Sequence, residues 1–289
     1  MHHHALPRHS RSAMTIFDEA KIDCHCHVFD PERFPYGEGN FYHPAGQERG
    51  TPAQFAALRE AYGVSGALLV GPNSGYDLDN RCLLDTLAQG GGRLKGVAVV
   101  RNDASHEELA GLKDKGIVGA ALNPALFGVD KYADAAGLLR RLGELDMIAQ
   151  IQVRDDQLPA LLPLLDACET RLLFDHCGRP DIAAGIDQPA FEALLDLGRR
   201  GRAWVKLSGY VKFARTPFPY PDTLPYVEAL LDAFTPDACL WGSDWPFLRA
   251  PERVDYGTLL ALVERLLPDA ADRRKVLLET PRRLFGFAG

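Results

Sequence analysis

The sequence lacks the features of a membrane protein, a nucleic-acid-binding protein and a disulfide-stabilised secreted protein. No apolar run approaches the ~18 residues that a membrane-spanning helix needs, so we expect no membrane partner. The net charge is −7 and no long basic run is present, which argues against a nucleic-acid-binding surface. The six cysteines are scattered and include no CxxC pair, which is typical of reduced thiols in the cytoplasm.

The chain also begins without the apolar segment of a secretory signal peptide. We interpret residues 1–14 as a disordered leader or a tag, and we leave their histidines out of the search for metal ligands. Residues 15–289 are interpreted as one large domain, because hydrophobic residues make up 46% of the chain and charged residues 25%, an ordinary globular balance. The sequence does not determine the oligomeric state.

Short apolar runs alternate along the chain with segments of helical periodicity, in which leucines recur at i, i+3, i+4 and i+7. The predicted strands lie near 21–27, 66–71, 95–100, 117–122, 147–152, 171–175, 203–208 and 238–243. The predicted helices lie near 52–62, 79–89, 105–115, 134–145, 156–168, 189–200, 222–234 and 256–267, with a short closing helix at the C-terminus.

Eight strand–helix units in a chain of this length predict an α/β fold, a closed (β/α)₈ TIM barrel. The alternative is an open doubly wound sheet. No Gly-x-Gly-x-x-Gly segment follows a predicted strand, so the dinucleotide-binding fingerprint of many such sheets is missing. The segment 30–51, rich in proline, glycine and aromatic residues, is predicted to be a mobile loop over the active site.

Polar side chains stand where several of the predicted strands end, which is where a barrel collects its functional groups. His25 and His27 end the first strand, and because residues two apart share a face, both imidazoles can converge on one point, about 6.6 Å apart along the strand. We expect Cys24 and Cys26 to face the other side. The later strands end with His176 and Arg179, with Lys206, Ser208 and Tyr210, and with Asp244.

These residue types together suit hydrolysis. Imidazoles polarise a carbonyl or hold a metal, and a carboxylate takes a proton from water. Each residue alone has an ordinary explanation, since Asp244 could cap a helix and His176 could be a turn histidine. Their common position at strand ends favours a catalytic site made of His25, His27, His176 and Asp244.

Three segments of the chain resemble the amidohydrolase superfamily, of the amidohydrolase 2 type. They are IDCHCHVFDP at 22–31, DHCGRPD at 175–181 and WGSDWP at 241–246. The closer resemblance is to the branch of lactonases that includes 2-pyrone-4,6-dicarboxylate lactonase, whose Asp-Asn-Leu-Leu segment is similar to DNRCLLD at 79–85. The resemblance implies a (β/α)₈ barrel that hydrolyses a lactone. It implies that the three histidines surround the carbonyl and that Asp244 activates water.

The chain departs from the binuclear members of that superfamily, which carry a bridging lysine on strand four and a histidine on strand five. Here strand four ends near Ala121 and Gln152 stands near the strand-five position. Because an amide is a poorer zinc ligand than imidazole, we expect no required cofactor. If a single zinc is bound, the expected ligands are His25, His27 and Asp244. A metal-dependent decarboxylase of the same superfamily and an inactive binding barrel remain as alternatives.

The expected partner is a small molecule. Pyrone-dicarboxylate lactonases carry arginines on and just after strand four, and this chain has the apolar residues 125–128 there. A lactone with one carboxylate or none is therefore expected to be preferred over the pyrone dicarboxylate. The residues expected to bind it are Arg179, Asn123, Gln152, Ser208, Tyr210 and Lys206.

Overall fold

Eight parallel strands follow one another around the molecule in chain order, from β1 to β8. The computed structural model describes residues 15–288, so the interpretation of residues 1–14 lies outside the described residues. The strands are β1 Lys21–Cys26, β2 Val64–Val70, β3 Leu94–Val99, β4 Ile117–Leu122, β5 Ile148–Ile151, β6 Arg171–Phe174, β7 Ala203–Leu207 and β8 Cys239–Trp241.

Helices connect successive strands on the outside of the sheet. They are α1 Pro52–Ala61, α2 Arg81–Gln89, α3 His106–Asp114, α4 Pro124–Phe127, α5 Ala136–Glu144, α6 Leu158–Asp166, α7 Pro189–Arg199, α8 Leu224–Phe234, α9 Tyr256–Leu266, α10 Ala270–Arg274 and α11 Thr280–Phe285. Local sequence fixes several starts: Thr51 and Gln54 form a capping box before α1, and Ser105 caps α3. Within the described part of the chain, no helix has the length and apolar character to cross a membrane.

The sheet closes between β8 and β1. Cys26 forms a parallel bridge with Trp245, just beyond β8. The Asp244 amide donates to the carbonyl of His25 at 2.7 Å, and the His27 amide donates to the carbonyl of Trp245 at 2.8 Å. The prediction of a (β/α)₈ barrel is confirmed, and the alternative of an open doubly wound sheet is wrong.

Part of the barrel interior is filled by an apolar cluster. Alternate residues of several strands meet there, and the C-terminal segment with Phe285 and Phe287 packs against them. The inward-facing strand residues of this cluster are Ile22, Cys24, Leu68, Val70, Val97, Ile148, Leu173 and Leu240.

An irregularity in β1 corrects one expectation from the sequence. Cys26 packs outward against the helical layer as predicted, but Cys24 belongs to the interior cluster. The pairing of β1 with β2 shifts register between Asp23 and Cys26, as in a β-bulge. Strict alternation therefore fails at this point, and Cys24 and His25 both reach the interior side of the barrel.

Candidate active site

A pocket of about 560 Å³ opens at the carboxyl ends of the strands. Its size lies in the range that holds small-molecule ligands. His25, His27, His176 and Asp244 all line it, so the structure brings together the four predicted catalytic side chains. Phe41, from the segment 30–51, lies at the same pocket and is half exposed, so this segment covers part of the opening. Its mobility stays a prediction.

The three imidazoles surround one carboxylate oxygen. Oδ1 of Asp244 lies 3.7 Å from Nε2 of His25, 3.6 Å from Nε2 of His27 and 3.8 Å from Nε2 of His176. The rings of His25 and His27 have centroids 5.0 Å apart, and those of His25 and His176 are 4.5 Å apart. All four side chains are buried or nearly so. The geometry places three ring nitrogens and one carboxylate around a common point.

The backbone that presents these side chains is strained. His176, Arg179 and Asp244 have φ values of 53°, 47° and 61°, in the left-handed region that side chains other than glycine rarely adopt. Such residues cost roughly 1–3 kcal/mol each and cluster at functional sites. Gly209 allows the close approach of His176, because a Cβ atom there would lie 2.4 Å from Nδ1 of the imidazole.

The Nδ1 atom of each histidine has a different neighbour. Nδ1 of His27 lies 2.8 Å from the carbonyl oxygen of Val70, which accepts only, so this nitrogen carries the proton. Nδ1 of His176 lies 3.0 Å from Oγ of Ser208, which can donate or accept. Nδ1 of His25 lies 3.1 Å from Nζ of Lys206. Contacts made behind the pocket thus hold all three rings.

Lys212 controls the charge of the central carboxylate. Its Nζ lies 2.9 Å from Oδ2 of Asp244. Burial alone would raise the pKa of Asp244, but the Lys212 ammonium and the His176 ring outweigh burial and hold that pKa well below its ordinary value of 3.8. Asp244 is therefore an ionised carboxylate at neutral pH, as a general base must be.

The imidazoles of His25 and His176 are neutral at the same pH. Burial and the nearby Lys206 ammonium lower the pKa of His25 to about 4, although Asp175 acts in the opposite direction. Burial also holds the pKa of His176 well below its ordinary value of 6.5. Neutral rings can act as hydrogen-bond donors or acceptors toward a carbonyl group or a water molecule.

The six predicted substrate-binding residues divide into two groups. Arg179, Asn123 and Gln152 line the pocket. Lys206, Ser208 and Tyr210 do not line it, and their contact with substrate stays a prediction. Lys206 is fully buried and donates to Gln150, Ser208 contacts His176, and Tyr210 packs against Phe213 and Tyr220.

Arg179 faces the pocket without a structural partner. Its Nε is buried and has no hydrogen-bond partner among residues 15–288. Asp175 pairs instead with Lys206 at 3.0 Å, and Asp181 accepts from the amide of Ala183. The carboxylates whose charges act on Arg179 are those of Asp155 and Asp244. Burial and the nearby Arg154 lower the pKa of Arg179. This arrangement favours an anionic group of the substrate as its partner.

Sequence reasoning missed other polar groups of the pocket. Arg154 follows β5, Arg249 lies five residues after Asp244, and Asn73 follows β2; all three line the pocket. Their position after strand ends was a usable signal. The expectation of a lactone with one carboxylate or none rested on the missing arginines of strand four, whereas Arg154 and Arg249 come from the loops after β5 and β8.

The spacing of the ligand atoms would suit a metal ion, but the hydrogen bonds behind the histidine rings suit it less well. His25, His176 and Asp244 offer ligand atoms that all lie within 4.8 Å of one another. This set contains His176 in place of the His27 expected from the sequence, although His27 faces the same point. A zinc-ligating imidazole usually donates its other ring N–H to a carboxylate or carbonyl. His27 does so, but His25 has an ammonium at that position.

Comparison with known proteins gives concordant matches along almost the whole chain. A family model described as amidohydrolase matches residues 22–287. A 4-sulfomuconolactone hydrolase from Rhizobium radiobacter is 35% identical over 91% of this chain and 89% of its own length. A 2-pyrone-4,6-dicarboxylate hydrolase from Comamonas testosteroni is 30% identical over 91% of this chain and 89% of its own length. A solved structure of a probable 2-pyrone-4,6-dicarboxylic acid hydrolase from Acinetobacter baumannii, with citric acid bound, has a TM-score of 0.83 and 28% identity, covering 93% of this chain and 100% of that one.

Proposed function

The chain belongs to the amidohydrolase family, and we propose that it hydrolyses the ester bond of a lactone that carries an anionic group. The resemblance drawn from three segments of the sequence is confirmed by the family match. The observation that carries the proposal is the single carboxylate oxygen of Asp244 facing three imidazole nitrogens, in a pocket also lined by Arg179, whose buried Nε has no hydrogen-bond partner among residues 15–288. Relatives named as lactone hydrolases support it.

In the proposed mechanism Asp244 acts as the general base. It takes a proton from water while the water oxygen bonds to the lactone carbonyl carbon, and nearby imidazoles stabilise the negative charge that develops on the carbonyl oxygen. The ring C–O bond then breaks, and the leaving oxygen takes the proton back from Asp244. The product is an open-chain acid, and Asp244 is again a carboxylate. His27 can help to hold the attacking water molecule. Its unprotonated Nε2 lies 3.6 Å from Oδ1 of Asp244, and both atoms can accept a hydrogen bond from that water.

We propose that this turnover needs no metal. The support comes from Gln150 and Gln152 on and after β5, from Ala121 on β4, and from the ammonium beside His25. Decarboxylation and an inactive binding barrel, the alternatives left by the sequence, are not favoured, because the relatives that share about a third of the residues are lactone hydrolases. If an ion is bound, the group His25, His176 and Asp244 is where we expect it.

For the substrate, we propose an anionic lactone with up to two charged groups. The sequence favoured one carboxylate or none, but Arg154 and Arg249 now join Arg179 at the pocket. A planar guanidinium binds carboxylate or sulfonate oxygens in pairs and so fixes orientation as well as charge.

The six free cysteines support our further proposal of a reducing, cytoplasmic location.

The test is a hydrolysis screen with and without a chelator. It would compare 2-pyrone-4,6-dicarboxylate, a sulfonated muconolactone, a monocarboxylated lactone and neutral sugar lactones. We expect activity on an anionic lactone that survives chelation and disappears in Asp244→Asn. Activity that vanishes with chelator and returns with one equivalent of a divalent ion would overturn the metal-free proposal. Release of CO₂ instead of a new acid group would overturn lactone hydrolysis.

A further inference from the structure

A buried lysine stands directly behind the catalytic histidines. Lys206 on β7 has 0% exposure, and its ammonium nitrogen lies 2.7 Å from Oε1 of Gln150, 3.1 Å from Nδ1 of His25 and 3.0 Å from Oδ1 of Asp175. An ammonium group has three N–H donors and accepts nothing. The charge is balanced by the Asp175 carboxylate, and burial, which opposes ionisation of that carboxylate, is outweighed by Lys206, so the pKa of Asp175 is below its ordinary value.

Nδ1 of His25 therefore has two competing neighbours. Toward Lys206 it must offer a lone pair, and toward Oδ1 of Asp175, 3.3 Å away, it would have to offer a proton. The Lys206 contact has hydrogen-bond geometry, whereas Oδ1 of Asp175 has no hydrogen-bond partner within the described part of the chain. Oδ2 of Asp175 accepts instead from Gln150 at 2.9 Å. The geometry favours Nδ1 of His25 as an acceptor.

We propose that Lys206 is a positioning residue that fixes the tautomer of His25, keeping the ring proton on Nε2, where it points into the pocket. This inference rests on the proposed function for its catalytic meaning. His25 becomes a hydrogen-bond donor for the lactone carbonyl and the negative charge that develops on it. His27 has the opposite tautomer, since its Nδ1 donates to Val70, so the two rings of one HxH segment present a donor and an acceptor to the same point.

The same contact disfavours a metal at this site. Nε2 of His25 can bind an ion only if it loses its proton to Nδ1, and Nδ1–H then needs an acceptor. Oδ1 of Asp175, 3.3 Å away, could accept that hydrogen bond. A carboxylate behind a ligating histidine is a usual arrangement at zinc sites. Lys206 is thus the residue that separates a hydrogen-bonding His25 from a metal-ligating one.

The first experiment reads the tautomer directly. Two-bond ¹H–¹⁵N correlation spectra of protein labelled with ¹⁵N-histidine distinguish Nδ1–H from Nε2–H rings, and comparison with His25→Gln assigns the His25 signals. We expect the unmodified protein to show Nε2–H at His25 and Nδ1–H at His27. An Nδ1–H ring at His25 would overturn the inference, and this measurement needs no folded Lys206 variant.

The second experiment removes the donor. Lys206→Met keeps the chain length and loses the ammonium, so we expect His25 to switch to Nδ1–H with Asp175 as acceptor. The matched control is Lys21→Met, because Lys21 is also fully buried but donates to the carbonyls of Phe17 and Tyr62 near the start of β1. His25 should keep its tautomer in the control. An unchanged tautomer in Lys206→Met would show that Lys206 does not set it.

A third readout is zinc affinity measured by calorimetry. We expect Lys206→Met to bind zinc at least about tenfold more tightly than the unmodified protein and Lys21→Met, and the gain to be lost when Asp175→Asn is added, since second-sphere changes shift metal affinity by about 10–100-fold. Equal affinity in all variants would contradict the role in metal exclusion. Neither the spectra nor the calorimetry needs turnover, so a failure of lactone hydrolysis is seen separately, in the substrate screen.

Discussion

Nζ of Lys212 lies 2.9 Å from Oδ2 of Asp244, whereas the Nε2 atoms of the three imidazoles lie 3.6 to 3.8 Å from Oδ1. One oxygen of the proposed general base thus faces the three imidazoles, while the other is held by a cation. Lys212 is partly exposed and its side chain also reaches the carbonyl of Leu248. The pair keeps Asp244 ionised despite its burial and fixes the direction in which Oδ1 points.

Removal of this cation is expected to move the acid limb of activity. Lys212 is the largest of the influences that lower the pKa of Asp244 against burial, so without it that pKa rises and the carboxylate is protonated at a higher pH. In Lys212→Met we expect the acid limb of kcat/KM to rise by about one pH unit or more, since an opposite charge at this distance lowers a carboxyl pKa by about 1–3 units. A pH profile of kcat/KM measures it, because that ratio reports the free enzyme.

The control for this profile is Lys275→Met. Lys275 forms a Lys–Asp pair of similar length, 2.8 Å, with the exposed Asp237. Its removal should leave the acid limb in place. A Lys212 variant whose profile overlays that of the unmodified protein would show that the ammonium does not set the ionisation of Asp244.

Replacement of the base itself should remove most of the activity. Asp244→Asn keeps the shape of the side chain, but the amide cannot take a proton from water. We expect kcat/KM to fall by about 10²–10⁴-fold, the range typical of a lost general base. Asp166→Asn, an exposed carboxylate at the end of α6, is the control. More than about a tenth of the activity remaining in Asp244→Asn would remove Asp244 from this role.

The location of the candidate site was predictable, because a barrel gathers its functional side chains at the carboxyl ends of its strands. His25, His27, His176 and Asp244 each follow an apolar run, and one rule of topology places them together. The eight strands were also predictable, since buried strands stop where polar residues begin. The short helix α4 and the irregular segment Lys275–Glu279 were not predicted, because neither has enough residues to show a period.

The contacts behind the site depended on details that periodicity does not contain. The register shift in β1 decides that His25, rather than Cys24, reaches Lys206. Lys206 was predicted from the sequence to bind substrate, because a lysine at the end of a barrel strand usually faces the pocket. Arg154 and Arg249 lie on loops, and their long side chains reach the pocket from positions that only the fold brings near.

Arg179 is expected to govern the affinity for an anionic substrate. Arg179→Lys keeps the charge but loses the planar pair of donors, so KM for an anionic lactone should rise by about 10–100-fold while kcat changes less. Arg200→Lys is the matched control, because Arg200 pairs with Asp196 on the exposed face of α7. Steady-state kinetics with an anionic and a neutral lactone make the comparison. An equal rise of KM for both lactones would indicate a general disturbance of the pocket instead of recognition of charge.

Gly242 is expected to be essential for closing the barrel at the site. A Cβ atom at this position would lie 2.6 Å from Cβ and 2.7 Å from the backbone nitrogen of His25, and a backbone atom cannot move aside as a flexible side chain can. Gly242→Ala should therefore lower the free energy of unfolding by about 1–3 kcal/mol, as overpacking does, and should reduce kcat because His25 is displaced. Gly111→Ala is the control, since Gly111 lies in α3 with nothing within 4 Å of its added Cβ atom and should gain up to about 1 kcal/mol from helix propensity. Urea unfolding and steady-state kinetics of both variants measure the two effects. If Gly242→Ala is as stable and as active as the unmodified protein, β8 does not need to lie this close to His25, and the distances proposed for the catalytic group are wrong.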